Sequence, residues 1–272
     1  MDGLAELQKS DNSWLKVLFI GDVVGLPGTS YTAGVLKDLL PKLQPDLVVA
    51  NGENAVHGRG LNRPAAEALY DAGVEIITLG NHSWDQRDLL SFIDEDERIV
   101  RPANYPPGTP GRGFTVCRVK NMEVLIINLM GRTFLPALDC PFRAVDDILH
   151  EHSGIRHVIV DMHAEATSEK LAMGWYLDGK VSAVIGTHTH VQTADERILP
   201  DGTALLTDVG MTGPRDGILG MDRTLVTHRM ITQMPVRFEV AGGARQFSAV
   251  LVKLDHESGR ALHIERIYIS ED

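Results

Sequence analysis

Five times along this chain a short apolar run breaks off into a cluster of glycine, acidic, amide or imidazole residues. Lys16 to Ile20 runs into Gly21-Asp22, residues 46–50 into Asn51-Gly52-Glu53-Asn54, and residues 75–79 into Gly80-Asn81-His82. His157 to Met162 delivers His163, and residues 181–185 deliver Gly186-Thr187-His188-Thr189-His190. Runs this short and this rich in Val, Ile and Leu read as buried strands. Helical spacing separates the first three: residues 29–43, closed by Pro45, and a stretch opened by Pro64 that ends near Gly73. Strand, loop and helix in repetition predict a parallel, largely buried sheet. Open α/β sheets place their ligands at the carboxyl ends of the strands, where each of these polar clusters falls.

The rest of the chain is less periodic. Residues 101–112 and 131–142 are expected as loops, and 210–220, rich in glycine, as another. Residues 114–119 and 124–129 read as paired strands about a Lys120-Asn121 turn, 167–177 as a helix, and 204–206, 247–254 and 262–269 as further strands. Residues 1–14 are polar and acidic and are expected as a loose extension of a single domain spanning 15–272.

A net charge of −11 argues against binding long nucleic acid, which calls for a basic face. It leaves a small anionic substrate open, because bound cations dominate the field of a site. Cys117 and Cys140 form no C-x-x-C pair and fit free thiols in a reducing cytoplasm. No apolar run is long enough to span a bilayer, so no membrane partner is expected. Homo-oligomerisation is compatible with the sequence.

The strand-end residues Asp22, Glu53, Asn54, Asn81, His82, His163, His188 and His190 offer oxygen or imidazole and no thiol. That mixture suits iron, manganese, zinc or cobalt, not a thiolate structural site. Taken singly, a strand-end Asp or Asn-His pair is more often a turn or a helix cap. Together, at the ends of successive parallel strands, the topology gathers them. His188 and His190 would both face one pocket if the backbone there is extended, because side chains i and i+2 of a strand share a face.

The ordered set Gly21-Asp22, Gly52-Glu53-Asn54, Gly80-Asn81-His82, His163 and Gly186-Thr187-His188-Thr189-His190 resembles the calcineurin-like metallophosphoesterase superfamily. Longer strings resemble its YmdB-like 2′,3′-cyclic-nucleotide 2′-phosphodiesterase branch. They are residues 18–25, 128–132, 141–143, 163–170 and 185–191, within a similarity running from Lys16 to the C-terminus. The superfamily's opening Asp-x-His motif is altered here, since Val24 stands where the histidine would be. The YmdB-like branch shares that loss and uses the Asn after the bridging acid, which is Asn54 here.

The resemblance implies a four-layer αββα sandwich, with two mixed sheets flanked by helices. It implies one metal on Asp22, Glu53, Asn54 and His190, and a second on Glu53, Asn81, His163 and His188, with Glu53 shared. The metals would be iron and/or manganese, with zinc as the other candidate. The implied reaction converts 2′,3′-cyclic nucleotides to 3′-nucleotides, by attack of a metal-bridged hydroxide with His82 as proton donor. Two other readings use the same metals: a broader phosphodiesterase or phosphatase, and a regulatory protein with a mainly structural site.

Overall fold

The computed structural model describes residues 14–272. The expected extension lies outside the described residues except for Trp14, which opens the first strand and pairs with Asp255. The first half contains β1 (Trp14–Ile20), β2 (Asp22–Val23), α1 (Gly25–Leu43), β3 (Leu47–Asn51), α2 (Arg63–Asp71), β4 (Ile76–Thr78), β5 (Ile99–Val100), β6 (Phe114–Val119) and β7 (Met122–Met130). The second half contains α3 (Pro141–Glu151), β8 (His157–His163), α4 (Thr167–Tyr176), β9 (Ala183–Thr187), β10 (Arg197–Ile198), β11 (Ala204–Leu206), β12 (Met211–Pro214), α5 (Arg223–Thr232), β13 (Arg245–Asp255) and β14 (Ala261–Ser270).

The strands form two mixed sheets. One runs β2-β12-β13-β1-β3-β4-β5, with β14 added against β13; the other runs β10-β11-β9-β8-β7-β6. Within the first, β1, β3, β4 and β5 are parallel neighbours. Within the second, β7, β8, β9 and β11 are parallel.

Alternation along each strand builds three apolar layers. Leu15, Val17 and Phe19 of β1, with Leu47 and Val49 of β3, pack against Val124, Ile126, Ile159 and Ile185 of the other sheet. The opposite faces, through Leu18, Ile20, Val48 and Ala50, meet Leu36 of α1 and Ala66 and Leu69 of α2. Val158, Val160 and Met162 of the second sheet meet Val145 and Ile148 of α3 and Met173 of α4. The expected αββα sandwich is therefore present.

Sheet order explains where the polar clusters go. The clusters after β1, β3 and β4 leave the same edge of one sheet, and those after β8 and β9 leave the same edge of the other. With the sheets stacked, both edges open on one end of the inter-sheet core.

Two expectations need correction, and one helix was not expected at all. Residues 141–142 are not loop: Pro141 occupies the first turn of α3, where its missing N–H costs nothing. Pro141, Val145 and Ile148 are its buried face. Residues 210–220 are not all loop, because Met211 and Thr212 pair in parallel with Asp22 and Val23. The helix α5 had no counterpart among the expected elements; Asp222 caps it by accepting from the N–H groups of Thr224 and Leu225.

Candidate metal centre

Every strand-end residue singled out from the sequence, His82 included, reaches this shared edge. Asp22, Glu53, Asn54 and His163 are buried. Glu53 and Asn54 lie in the turn after β3, Asn81 and His82 in the turn after β4, and His163 is the last residue of β8. His188 and His190 follow β9.

The contacts converge on one atom. His163 Nε2 lies 2.9 Å from Glu53 Oε1, 2.9 Å from Asn81 Oδ1 and 3.1 Å from His188 Nδ1. One imidazole N–H cannot serve three acceptors, so lone pairs of Glu53, Asn81, His163 and His188 crowd a single point. Glu53, His163 and His188 each place a ligand atom within 4.8 Å of the others. A second group sits beside it. Asp22 Oδ1 and Asn54 Oδ1 are buried with no hydrogen-bond donor among the described residues, and His190 Nε2 is 3.7 Å from that Asp22 oxygen. Orphaned buried oxygens are costly in a protein interior. A cation at each point would satisfy them, and the donor types suit borderline or hard metals. The residues present thus fit two ions.

The charges lead the same way. Burial pushes the Asp22 carboxyl well above the usual carboxylate range; His163 opposes this, while Asp208 and Glu53 add to it. Burial would raise Glu53 too, but the charge and hydrogen bond of His163, then His82, hold it down at about 2. Burial disfavours charge on His163, yet Glu53 and Asp22 lift it to about 9. His188 is pushed down to about 3, by burial first and then by repulsion from His163. Burial also lowers His190. Together these shifts favour charge on Glu53 and a proton on His163, with His188 and His190 neutral.

The H-x-H segment is not extended as expected. The strand ends at Thr187, and His188 and His190 adopt φ of 97° and 64°, a region L-residues rarely occupy. Strain of this kind persists only where neighbours over-determine it. Here the intervening Thr189 is anchored: its N–H and hydroxyl donate to Asp208 Oδ2 at 3.0 and 2.6 Å. Buried Lys170 donates to the same oxygen at 2.7 Å, and Gly210 N–H donates to Asp208 Oδ1 at 2.8 Å. Both imidazoles reach the centre because this turn is fixed. Gly80 has a different reason for being glycine, since a Cβ there would stand 2.3 Å from His163 Nε2.

A family model described as YmdB-like protein matches residues 18–267. The chain belongs to this family. A 2′,3′-cyclic-nucleotide 2′-phosphodiesterase of Bacillus subtilis is 51% identical over 95% of this chain and 98% of that protein. Among solved structures, a hypothetical protein from Thermus thermophilus is 45% identical, with a TM-score of 0.90 over 95% of this chain and 100% of that one. A structure described as a novel phosphatase from Mycoplasma pneumoniae is 36% identical, with a TM-score of 0.90 over 95% of this chain and 94% of that one.

Several residues of this YmdB-like chain that contact the site were not singled out from its sequence. Asp85 Oδ2 lies 2.8 Å from His82 Nδ1. Glu165 Oε2 reaches His188 Nε2 at 2.9 Å. Glu169, one turn further on, accepts from the N–H groups of Arg132 and Thr133 and holds that loop. Asp208 sits in Thr207-Asp208-Val209-Gly210, just beyond β11, and the strand-end rule applied to β11 would have found it.

Proposed function

We propose that this chain hydrolyses 2′,3′-cyclic nucleotides to 3′-nucleotides on two metal ions. The observation that carries the reading is the convergence of four lone-pair atoms at His163 Nε2 beside the two orphaned oxygens of Asp22 and Asn54. Asp22, Glu53, Asn54 and His190 would hold one ion, and Glu53, Asn81, His163 and His188 the other. The name of the Bacillus subtilis relative supports the substrate. Iron and manganese are the preferred metals, with zinc third.

When bound, such ions acidify water and absorb charge on phosphoryl oxygens. The chain supplies the rest. Glu53 is held by its Oε2, which accepts the His82 N–H at 2.8 Å. That bond ties the shared carboxylate to the residue that handles the proton. With Nδ1–H donating to Asp85, the His82 ring has Nε2 left for the substrate. In the cleft His82 protonates the departing 2′-oxygen, which otherwise leaves poorly. The phosphate stays on the 3′-oxygen.

The cleft holds about 270 Å³ and is lined by Glu53, His82, His188 and His190, with Leu219, Met221 and Phe238 as its apolar side. That is near the lower end of small-molecule sites, about 300 Å³, and favours a mononucleotide over a long polymer. No described helix is long and apolar enough to cross a membrane. Two unpaired cysteines, Cys117 and Cys140, support a cytoplasmic location.

The test is an activity panel of cyclic nucleotides and simple phosphodiesters, run on metal-stripped protein restored with iron, manganese or zinc separately. Turnover of 2′,3′-cyclic nucleotides with at least one metal is expected. Inactivity on every substrate would favour a regulatory protein with a structural metal site.

A further inference from the structure

Between the apolar inter-sheet core and the ligands lies a layer of polar residues that the proposed chemistry does not use. On each strand it takes the inward position that follows the last apolar one. Asn51 follows Val49 on β3, Thr78 follows Ile76 on β4, Asp161 follows Ile159 on β8, and Thr187 follows Ile185 on β9. All four are buried.

Asp161 is where they meet. Its Oδ2 accepts from Thr78 Oγ1 at 2.5 Å and from Asn51 Nδ2 at 3.3 Å, both on the first sheet. Its Oδ1 accepts from Thr187 Oγ1 at 2.7 Å, on the second. Two of these donors continue toward the centre. Asn51 Oδ1 accepts the N–H of Glu53 at 3.1 Å. Thr187 Oγ1 lies 2.9 Å from His163 Nδ1.

Proton counting fixes the direction of the last link. A threonine hydroxyl has one proton, and Thr187 gives it to the carboxylate. Its oxygen must then accept from His163 Nδ1–H. With the proton held at Nδ1, the lone pair of His163 sits on Nε2, the atom on which Glu53, Asn81 and His188 converge. Hydrogen bonds from the far nitrogen of a ligating histidine commonly set its tautomer and orientation in this way.

We propose that Asp161 is a positioning residue that registers the two halves of the metal centre. Through Thr187 it fixes the proton and ring orientation of His163, and through Asn51 it places the backbone of Glu53. The proposal rests on the two-metal reading and adds that one ion depends on this relay more than the other. The ion on Asn81, His163 and His188 takes its imidazole from the relay. The ion on Asp22, Asn54 and His190 touches it only through Glu53.

The experiment titrates metal-stripped protein with zinc alone against a competing chelator. It compares the wild type with Thr187→Val, Thr187→Ser and Asp161→Asn, and follows thermal unfolding alongside. The wild type is expected to take up two ions. Thr187→Val and Asp161→Asn should keep one and bind the other about 10–100-fold more weakly, the range seen when such supporting groups are removed. Thr187→Ser, which retains the hydroxyl, should restore both. A plain strut between the sheets would lower the unfolding temperature of Thr187→Val and leave both affinities unchanged, and that result overturns the proposal. Wild-type protein that binds no zinc, iron or manganese would overturn the two-metal reading itself, and the relay with it. Should the variants not fold, the zinc-loaded wild type decides. A slowly exchanging His163 Nδ1–H resonance is expected in histidine-labelled protein, and rapid exchange with solvent there refutes the relay.

Discussion

The Lys170–Asp208 pair is a buried ion pair 2.7 Å long. Both side chains are essentially inaccessible, at 2% and 1%, and the pair anchors Thr189 between two proposed metal ligands. Lys170→Met removes the cation and preserves most of the volume. Among the described residues, the Asp208 carboxylate then keeps only the donors of Thr189 and Gly210. Removing one member of a buried pair costs about 3–5 kcal/mol, because the other charge is left uncompensated. A chain of this size loses roughly 2–4 °C per kcal/mol, so the unfolding temperature of metal-stripped protein should drop by roughly 6–20 °C. Replacing Asp208 by Asn in the same chain removes the stranded charge and should recover part of the loss, a coupling that a double-mutant cycle reads directly. The turn should loosen as well. His188 and His190 sit at positive φ, at a cost of order 1–3 kcal/mol each, and lose the clamp that sustains them. Calorimetric unfolding of the four proteins provides the assay. A Lys170→Met variant melting within about 2 °C of the wild type would show that the backbone and hydroxyl donors alone carry Asp208, and the reasoning would fail.

Three further outcomes are expected. His82→Ala should retain both ions and lose about 10²–10⁴ in turnover, with Asp85→Asn losing less; metal analysis beside kcat decides, and loss of metal from His82→Ala would make His82 a ligand. Gly80→Ala puts a Cβ 2.3 Å from His163 Nε2, so it should cost about 1–3 kcal/mol and weaken uptake of one ion; unchanged metal content and melting would refute the close approach. Metal uptake should release protons, because neighbouring carboxylates raise His163 to about 9 against burial and it must be neutral to bind through Nε2. Affinity should therefore rise with pH up to about 9 and then level off. Titration calorimetry in buffers of differing ionisation enthalpy would contradict this if no proton were released near neutrality.

The sequence makes the ligand edge legible because two periodicities coincide there. Apolar strands of β1, β3, β4, β8 and β9 end in polar clusters, and parallel order brings those ends together. The eight residues named on that basis all reach one end of the inter-sheet core. The supporting layer was harder to see. Thr78 and Asp161 are single polar residues inside apolar runs, while Asn51 and Thr187 sit in the polar clusters with nothing to mark them out from their neighbours. Their meaning depends on two sheets facing each other, and pairing between sheets has no sequence period. The backbone of His188 and His190 was misjudged for a related reason. An extended H-x-H follows from local geometry, whereas the observed turn is sustained by Asp208 and Lys170, both distant in sequence. Helix α3 was missed because Pro136 and Pro141 read as loop signals, although Pro141, Val145 and Ile148 hold helical spacing.

The proposed two-metal hydrolysis opens the cyclic phosphodiester in a defined direction. Phosphorus NMR of a 2′,3′-cyclic nucleotide, incubated with protein of measured metal content, tests it most directly. A 3′-nucleotide is the expected product, formed at a rate that rises with occupancy of the second ion and vanishes in stripped protein. Accumulation of the 2′-nucleotide, or undiminished turnover after the metals are removed, would contradict it.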